Sequence, residues 1–336
     1  MRSGFRAAAV CALLALASAA PATSVFAEDI TVGAVQVTTF RGAAPGARVQ
    51  DLIFEGGLEL SSPAPDFGGL SGITFLDDAR AAVMVSDQGD FVSGTLIYDE
   101  AGRPAELVGV AIEPIQNSRG ADLPRAFARD AEAVHVIMRD GVATGVRVGF
   151  ENLTRVADFE LRDKRPGGPA REVAIPERLT DLRTNRSIES VCIAPPASPV
   201  AGSTLLIAED LKTSEGNHSA WLLGRQDRGP LSFAATSGVY PTDCAFLPDG
   251  DLLVLERGVG FLTFTMTLKR VPAAEVRPGA VMTGEVLLAV SGGEIDNMEG
   301  LAVHPGPDGR PRITVLSDNN FNDWQRTLLL QFSLPD

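Results

Sequence analysis

Lysine is nearly absent from this 336-residue chain: Lys164, Lys212 and Lys269 stand against 43 acidic residues, and the formal charge is −14. Such a surface repels nucleic acid and anionic membrane, so neither is expected as a partner. Histidine is equally scarce. His135, His218 and His304 include no pair at ligand spacing, which speaks against a zinc centre. There is no Gly-x-Ser-x-Gly elbow, and three scattered histidines offer no triad, so nucleophilic serine catalysis is disfavoured. Of the three cysteines, Cys11 falls in an N-terminal leader, and Cys192 and Cys244 form no Cys-x-x-Cys motif. That argues against redox catalysis and a zinc ribbon, and leaves the pair open between a disulfide and two buried thiols. Helical periodicity is scarce too, and no stretch beyond the leader is long and apolar enough to span a membrane.

What is present begins with the leader. Arg2 and Arg6 precede an apolar run from Ala7 to Ala20, and Val25-Phe26-Ala27 offers small residues where a signal peptidase reads. The run is shorter than the roughly 20 residues a bilayer span needs. The pattern predicts a secretory signal over residues 1–27 and one exported domain over 28–336, periplasmic or secreted and monomeric. With 45% hydrophobic and 21% charged residues, the bulk is that of a compact globular protein whose acidic surface gathers divalent cations.

The most informative stretch is Glu294–Asn322. Asp296, Asn297 and Glu299 lead into an apolar run; Pro305-Gly306-Pro307-Asp308-Gly309 makes a turn no helix tolerates; a second apolar run ends at Asp318, Asn319 and Asn320. This reads as a β-hairpin with oxygen donors from both strands at one end. The same hairpin recurs upstream. Ser71, Glu132, Glu189, Asp243 and Glu299 open it, and Asp87, Glu151, Glu209, Glu256 and Asp318 close it, with a period of roughly 55 residues that matches one four-stranded propeller blade. Five such repeats run from about residue 67. Ile30–Thr39 and Gln50–Leu60 alternate like strands and would supply most of a further blade, closed by pairing with Thr327–Leu334. The expectation is therefore an all-β, six-bladed propeller closed by its N- and C-terminal strands.

Asp296-Asn297-Met298-Glu299-Gly300-Leu301-Ala302, then Ser317-Asp318-Asn319-Asn320-Phe321 and Gln325-Arg326-Thr327-Leu328-Leu329, resemble the C-terminal signature of the phytase-like family, described as esterase-like activity of phytase. Gly69-Leu70-Ser71-Gly72-Ile73 with Ser86-Asp87, and Asp130-Ala131-Glu132-Ala133 with Phe150-Glu151, resemble its earlier motifs, in the right order over nearly the whole chain. The resemblance implies a secreted propeller and calcium-assisted ester or phosphoester hydrolysis. In this chain Ser71 stands where the other repeats have an acid, and Ala133 where glycine is expected after Glu132.

In a propeller, residues that open the inner strands gather at one mouth of the central channel. Carboxylates crowded there need a cation to stay ionised, and calcium, which takes about 6–8 oxygen ligands, suits them. The expected metal ligands are Glu132, Glu189, Asp243, Asn297, Glu299, Asp318 and Asn319. Glu299 and Asp243 are the candidate general bases for a metal-bound water. Asp87, Arg186, Arg257 and Arg326 are the candidate contacts for a small-molecule ester or phosphoester. The competing expectation, from another class, is a propeller that binds a ligand or partner protein without turnover.

Overall fold

The computed structural model describes residues 28–76, 80–124, 126–180, 187–225, 227–260 and 263–335. The expected leader, residues 1–27, and Arg186 lie outside the described residues.

The strands form five sheets arranged as the blades of a closed ring. From axis to rim, blade 1 runs Leu70–Phe75, Ala81–Ser86, Asp90–Tyr98 and Pro104–Pro114, with Glu28–Ile30 added outside. Blade 2 is Ala131–Arg139, Val142–Phe150, Arg155–Arg162 and Arg165–Val173. Blade 3 is Ile188–Ile193, Thr204–Lys212, His218–Leu223 and Gly229–Phe233, with Val281–Met282 parallel at its rim. Blade 4 is Tyr240–Phe246, Leu252–Gly260, Thr263–Val271 and Glu285–Ser291. Blade 5 is Asn297–Pro305, Pro311–Asp318, Thr327–Ser333 and Leu52–Ser61, with Gly33–Val37 outermost.

The ring therefore has five blades, not six. The two N-terminal stretches are strands, as their alternation predicts, and the pairing of Thr327–Ser333 with Leu52–Ser61 is the expected closure. The error lies in what is closed. The last repeat contributes three strands, and the N-terminal strands complete that blade instead of founding another.

Each blade is covered on both faces by its neighbours, which is why Leu70–Phe75 and Ala81–Ser86 are buried at every position. Five apolar clusters fill the five clefts between blades. The cleft between blades 4 and 5 stacks Phe40, Phe54 and Phe332. Between blades 3 and 4, Cys192 and Cys244 form a disulfide joining two inner strands, with Cα atoms 5.8 Å apart. The two possibilities left open for this pair are thus decided. Among the described residues no helix is long and apolar enough to cross a membrane.

Candidate active site

In all five blades the inner strand contains one residue more than the strand beside it can pair, a β-bulge that sits near its start. The pairing skips Ser71, Glu132, Glu189, Thr242 and Glu299. The extra residue is turned out of the ladder, and in four blades it faces the channel: Ser71, Glu132, Glu189 and Glu299 line a cavity of about 390 Å³ on the axis. Blade 4 differs, since the Thr242 hydroxyl donates to the Met298 carbonyl at 3.3 Å. The five inner strands come very close here. A Cβ on Gly72 would lie 2.9 Å from the Val134 nitrogen and 3.0 Å from the Glu132 carbonyl, so only glycine fits.

The second strand of each blade supplies the other half of the cavity. Asp87, Glu151, Glu209, Arg257 and Asp318 each lie one residue beyond the partner of the bulge, and all five line the cavity. Asp130, Asn152 and Asn320 complete it. Among the described residues, eight carboxylates thus share the space with one guanidinium, that of Arg257.

The carboxylates are close enough to act together. One oxygen from each of Asp130, Glu132 and Glu151 lies within 4.8 Å of the others, and the same holds for Glu151, Glu189 and Glu209. Glu151 belongs to both groups and is fixed in place, its Oε1 accepting from the Ser187 backbone N–H at 3.0 Å and its carbonyl from the Thr154 hydroxyl at 2.9 Å. On the opposite side, Arg257 donates to Glu299, to Asn297 Oδ1 at 2.8 Å and to Glu209 at 3.3 Å. Asn297 in turn donates to Glu299 at 2.8 Å.

Burial and mutual repulsion set the protonation of this cluster. Burial, reinforced by the charges of Glu189 and Glu299, holds Glu132 well above the usual carboxylate range. Glu189 is raised in the same way, by burial and then by Glu151. Burial pushes Glu151 to about 8 and, with Glu299 beside it, Asp318 to about 8. Asp87 rises to about 6 through burial and the charge of Asp130. Burial also raises Glu299, although Arg257 and Asn297 oppose it. Burial alone would lower Arg257, but Glu299, Glu189 and Glu209 outweigh it and keep the guanidinium charged.

Of the expected site residues, Glu132, Glu189, Glu299, Asp318, Asp87 and Arg257 meet in the cavity. Asp243 does not. The bulge falls on Thr242, so Asp243 pairs with Leu255 and turns toward blade 5, where its buried carboxylate accepts the Leu301 N–H at 2.7 Å and the Cys244 N–H at 2.8 Å. There it ties blade 4 to blade 5 and does not line the cavity. Asn297 lies beneath the cavity and holds Arg257 and Glu299. Asn319 is spent on the adjoining loop, accepting from the Gly69 and Phe321 N–H groups, and Asn320 lines the cavity in its place. Arg326 is drawn away by Asp296 and by the carbonyls of Gly293 and Ile295. Glu256 is not the residue that closes the hairpin of blade 4; it is buried against Lys269 at 2.9 Å, and Arg257 takes the channel position. Asp130, Glu151, Glu209 and Asn152 are site residues outside the expected ligand set, and the signal for the first three was their place beside the repeated hairpins.

A protein-family model, phytase-like or "esterase-like activity of phytase", matches residues 65–321. The chain belongs to this phytase-like family. No curated protein matches it. Among solved structures, the PQQ-bound aldose sugar dehydrogenase of Streptomyces coelicolor is 11% identical, with a TM-score of 0.42 over 80% of this chain and 95% of that one. A glucose dehydrogenase is 12% identical, with a TM-score of 0.41 over 78% and 96%. Likenesses this distant say nothing of the phytase-like chain's chemistry, and its blade number rests on its own strand pairing.

Proposed function

We propose that the axial cavity hydrolyses ester or phosphoester bonds with the help of a divalent cation, calcium by preference. The observation that carries this reading is the donor set: among the described residues, eight carboxylates and one arginine in one cavity, with two trios of oxygen atoms, one in blade 2 and one bridging blades 2 and 3, each within 4.8 Å. Hard oxygen donors without imidazole or thiolate suit calcium far better than zinc. Buried Asp87 Oδ1, which has no hydrogen-bond partner among the described residues, adds an acceptor ready for a ligand. Glu151, which belongs to both groups, would hold the cation together with Asp130 and Glu132 or with Glu189 and Glu209. When bound, it would polarise the scissile group and lower the pKa of water.

The remaining chemistry falls to the other side of the cavity. Glu299 takes a proton from the attacking water and returns it to the leaving oxygen as the ester or phosphoester bond breaks, and its raised pKa favours that role. Arg257 is paired with Glu299 before the reaction. Once Glu299 is protonated, that pairing weakens, and the guanidinium is free to face the oxygen that gains negative charge. Asp87, across the cavity, contacts the substrate. Export is part of the proposal, supported by the N-terminal leader pattern and by the Cys192–Cys244 disulfide.

The test is turnover of p-nitrophenyl acetate and p-nitrophenyl phosphate by the purified mature protein, with calcium and with EDTA. Calcium-dependent turnover that falls by about 100-fold or more in Glu299→Gln is expected. Bound calcium with no turnover of any ester or phosphoester would point instead to a propeller that binds without catalysis.

A further inference from the structure

The channel has a second mouth with the opposite chemistry. Where the inner strands of blades 2 to 5 end, a cavity of about 860 Å³ is lined mainly by apolar side chains, among them Met138, Ile193, Phe246 and Val303. Among the described residues, no lysine or arginine lines it, and the single carboxylate there, Asp140, is exposed to solvent. A charged ligand would lose hydration here without compensation. The volume lies within the range of roughly 300–1,000 Å³ typical of small-molecule sites.

Two histidines belong to this wall, and they differ in one respect. His304 has both ring nitrogens engaged, Nδ1 with the Pro305 carbonyl at 2.9 Å and Nε2 with the Thr314 hydroxyl at 2.7 Å, and its ring stacks on Phe75. His135 uses only Nδ1, which lies 2.9 Å from the Val136 carbonyl. A carbonyl can only accept, so Nδ1 carries the proton and the ring's Nε2 presents a lone pair. That nitrogen has no partner among the described residues. Burial pushes His135 down to about 4, so at neutral pH the ring is uncharged and Nε2 stays an acceptor.

We propose that this cavity is a second binding site, for an uncharged and largely apolar alcohol or phenol whose hydroxyl donates to His135 Nε2. Apolar surface supplies the affinity, and the single acceptor supplies the orientation. The site is separate from the carboxylate cavity and does not depend on the hydrolytic reading of that cavity.

Titration of the mature protein with 2-naphthol and with naphthalene, followed by ligand fluorescence, tests it. Saturable 1:1 binding of both is expected, with 2-naphthol bound about 5-fold tighter, the worth of one neutral hydrogen bond. His135→Phe should abolish the preference, and Ala201→Trp, an exposed residue of the cavity wall, should weaken both ligands by about 10-fold or more through steric filling. Binding should be unchanged in Glu151→Gln. Absence of saturable binding would overturn the site; equal affinity for the two ligands, or a preference that survives His135→Phe, would overturn the role of the histidine; insensitivity to Ala201→Trp would overturn its location.

Discussion

Blades 3 and 4 start from the same backbone and deliver opposite charges to the axis. Both inner strands skip one residue near their start, and both second strands end beside the channel. Blade 3 places Glu189 and Glu209 there, whereas blade 4 places Arg257 alone and turns Thr242 to the Met298 carbonyl. The difference divides the cavity. Blades 2 and 3 make a side rich in carboxylates, and blade 4 brings a cation to face it. The fold thus fixes five equivalent pairs of positions, and the residue at each position, not the blade that carries it, assigns the chemistry.

Removing that asymmetry should have the largest effect. Arg257→Glu makes blade 4 resemble blade 3, and turnover should fall by about 100- to 1,000-fold, the usual consequence of losing one donor to a developing negative charge. Calcium affinity measured by calorimetry should rise in the same variant, because a carboxylate replaces a guanidinium. Loss of both properties together would contradict the division of roles.

The two blades are also tied covalently. The Cys192–Cys244 bond closes a loop with a sequence separation of 52 residues, so the double alanine variant should lose about 4 kcal/mol of unfolding free energy in urea. A smaller dependence is expected on pH. Glu151 and Asp318 are raised to about 8 in the fold, so the folded state holds protons that the unfolded chain has released. Their stabilisation is complete below about pH 4 and is lost as pH rises through about 8. Calcium-free protein should therefore lose on the order of a few kcal/mol between pH 5 and 8, read as a falling Tm, and calcium should restore it.

The smallest change concerns the neighbour of the bulge in blade 4. Asp243→Asn leaves one oxygen for two backbone N–H groups and turns an amide nitrogen toward the other. It should cost about 2 kcal/mol in urea unfolding with calcium affinity unaltered. A change in affinity would place Asp243 in the ring after all.

The same residue shows where the sequence stopped being readable. Strand type, turns and the repeat were visible because valine, leucine and isoleucine runs alternate with Pro-Gly and Asp-Gly turns. Glu132, Glu189 and Glu299 were legible as a set since each is the only acid at the bulge of its blade. In blade 4 the bulge residue is a threonine followed by an acid, so reading by charge moved the site from Thr242 to Asp243. Strands buried on both faces offer no alternation to correct such a slip of one residue. The shift from Asn319 to Asn320 has a similar origin, in a loop that reverses through positive φ at Asn320 and Phe321. The position of Arg326 is not legible, because nothing local reveals that Asp296, thirty residues earlier in sequence, lies beside it. Blade number failed for a topological reason, since strand pattern does not say whether terminal strands found a blade or finish one.

The proposed chemistry depends on a cation held by blades 2 and 3. The most direct measurement is a crystal structure of the mature protein grown with calcium, with anomalous scattering used to place the ion. The expected result is a calcium ion bound by Glu151 and one of its two carboxylate pairs, Asp130 with Glu132 or Glu189 with Glu209, with Arg257 outside its coordination shell. A cavity that holds only water, its carboxylates hydrogen-bonded to one another at millimolar calcium, would contradict it.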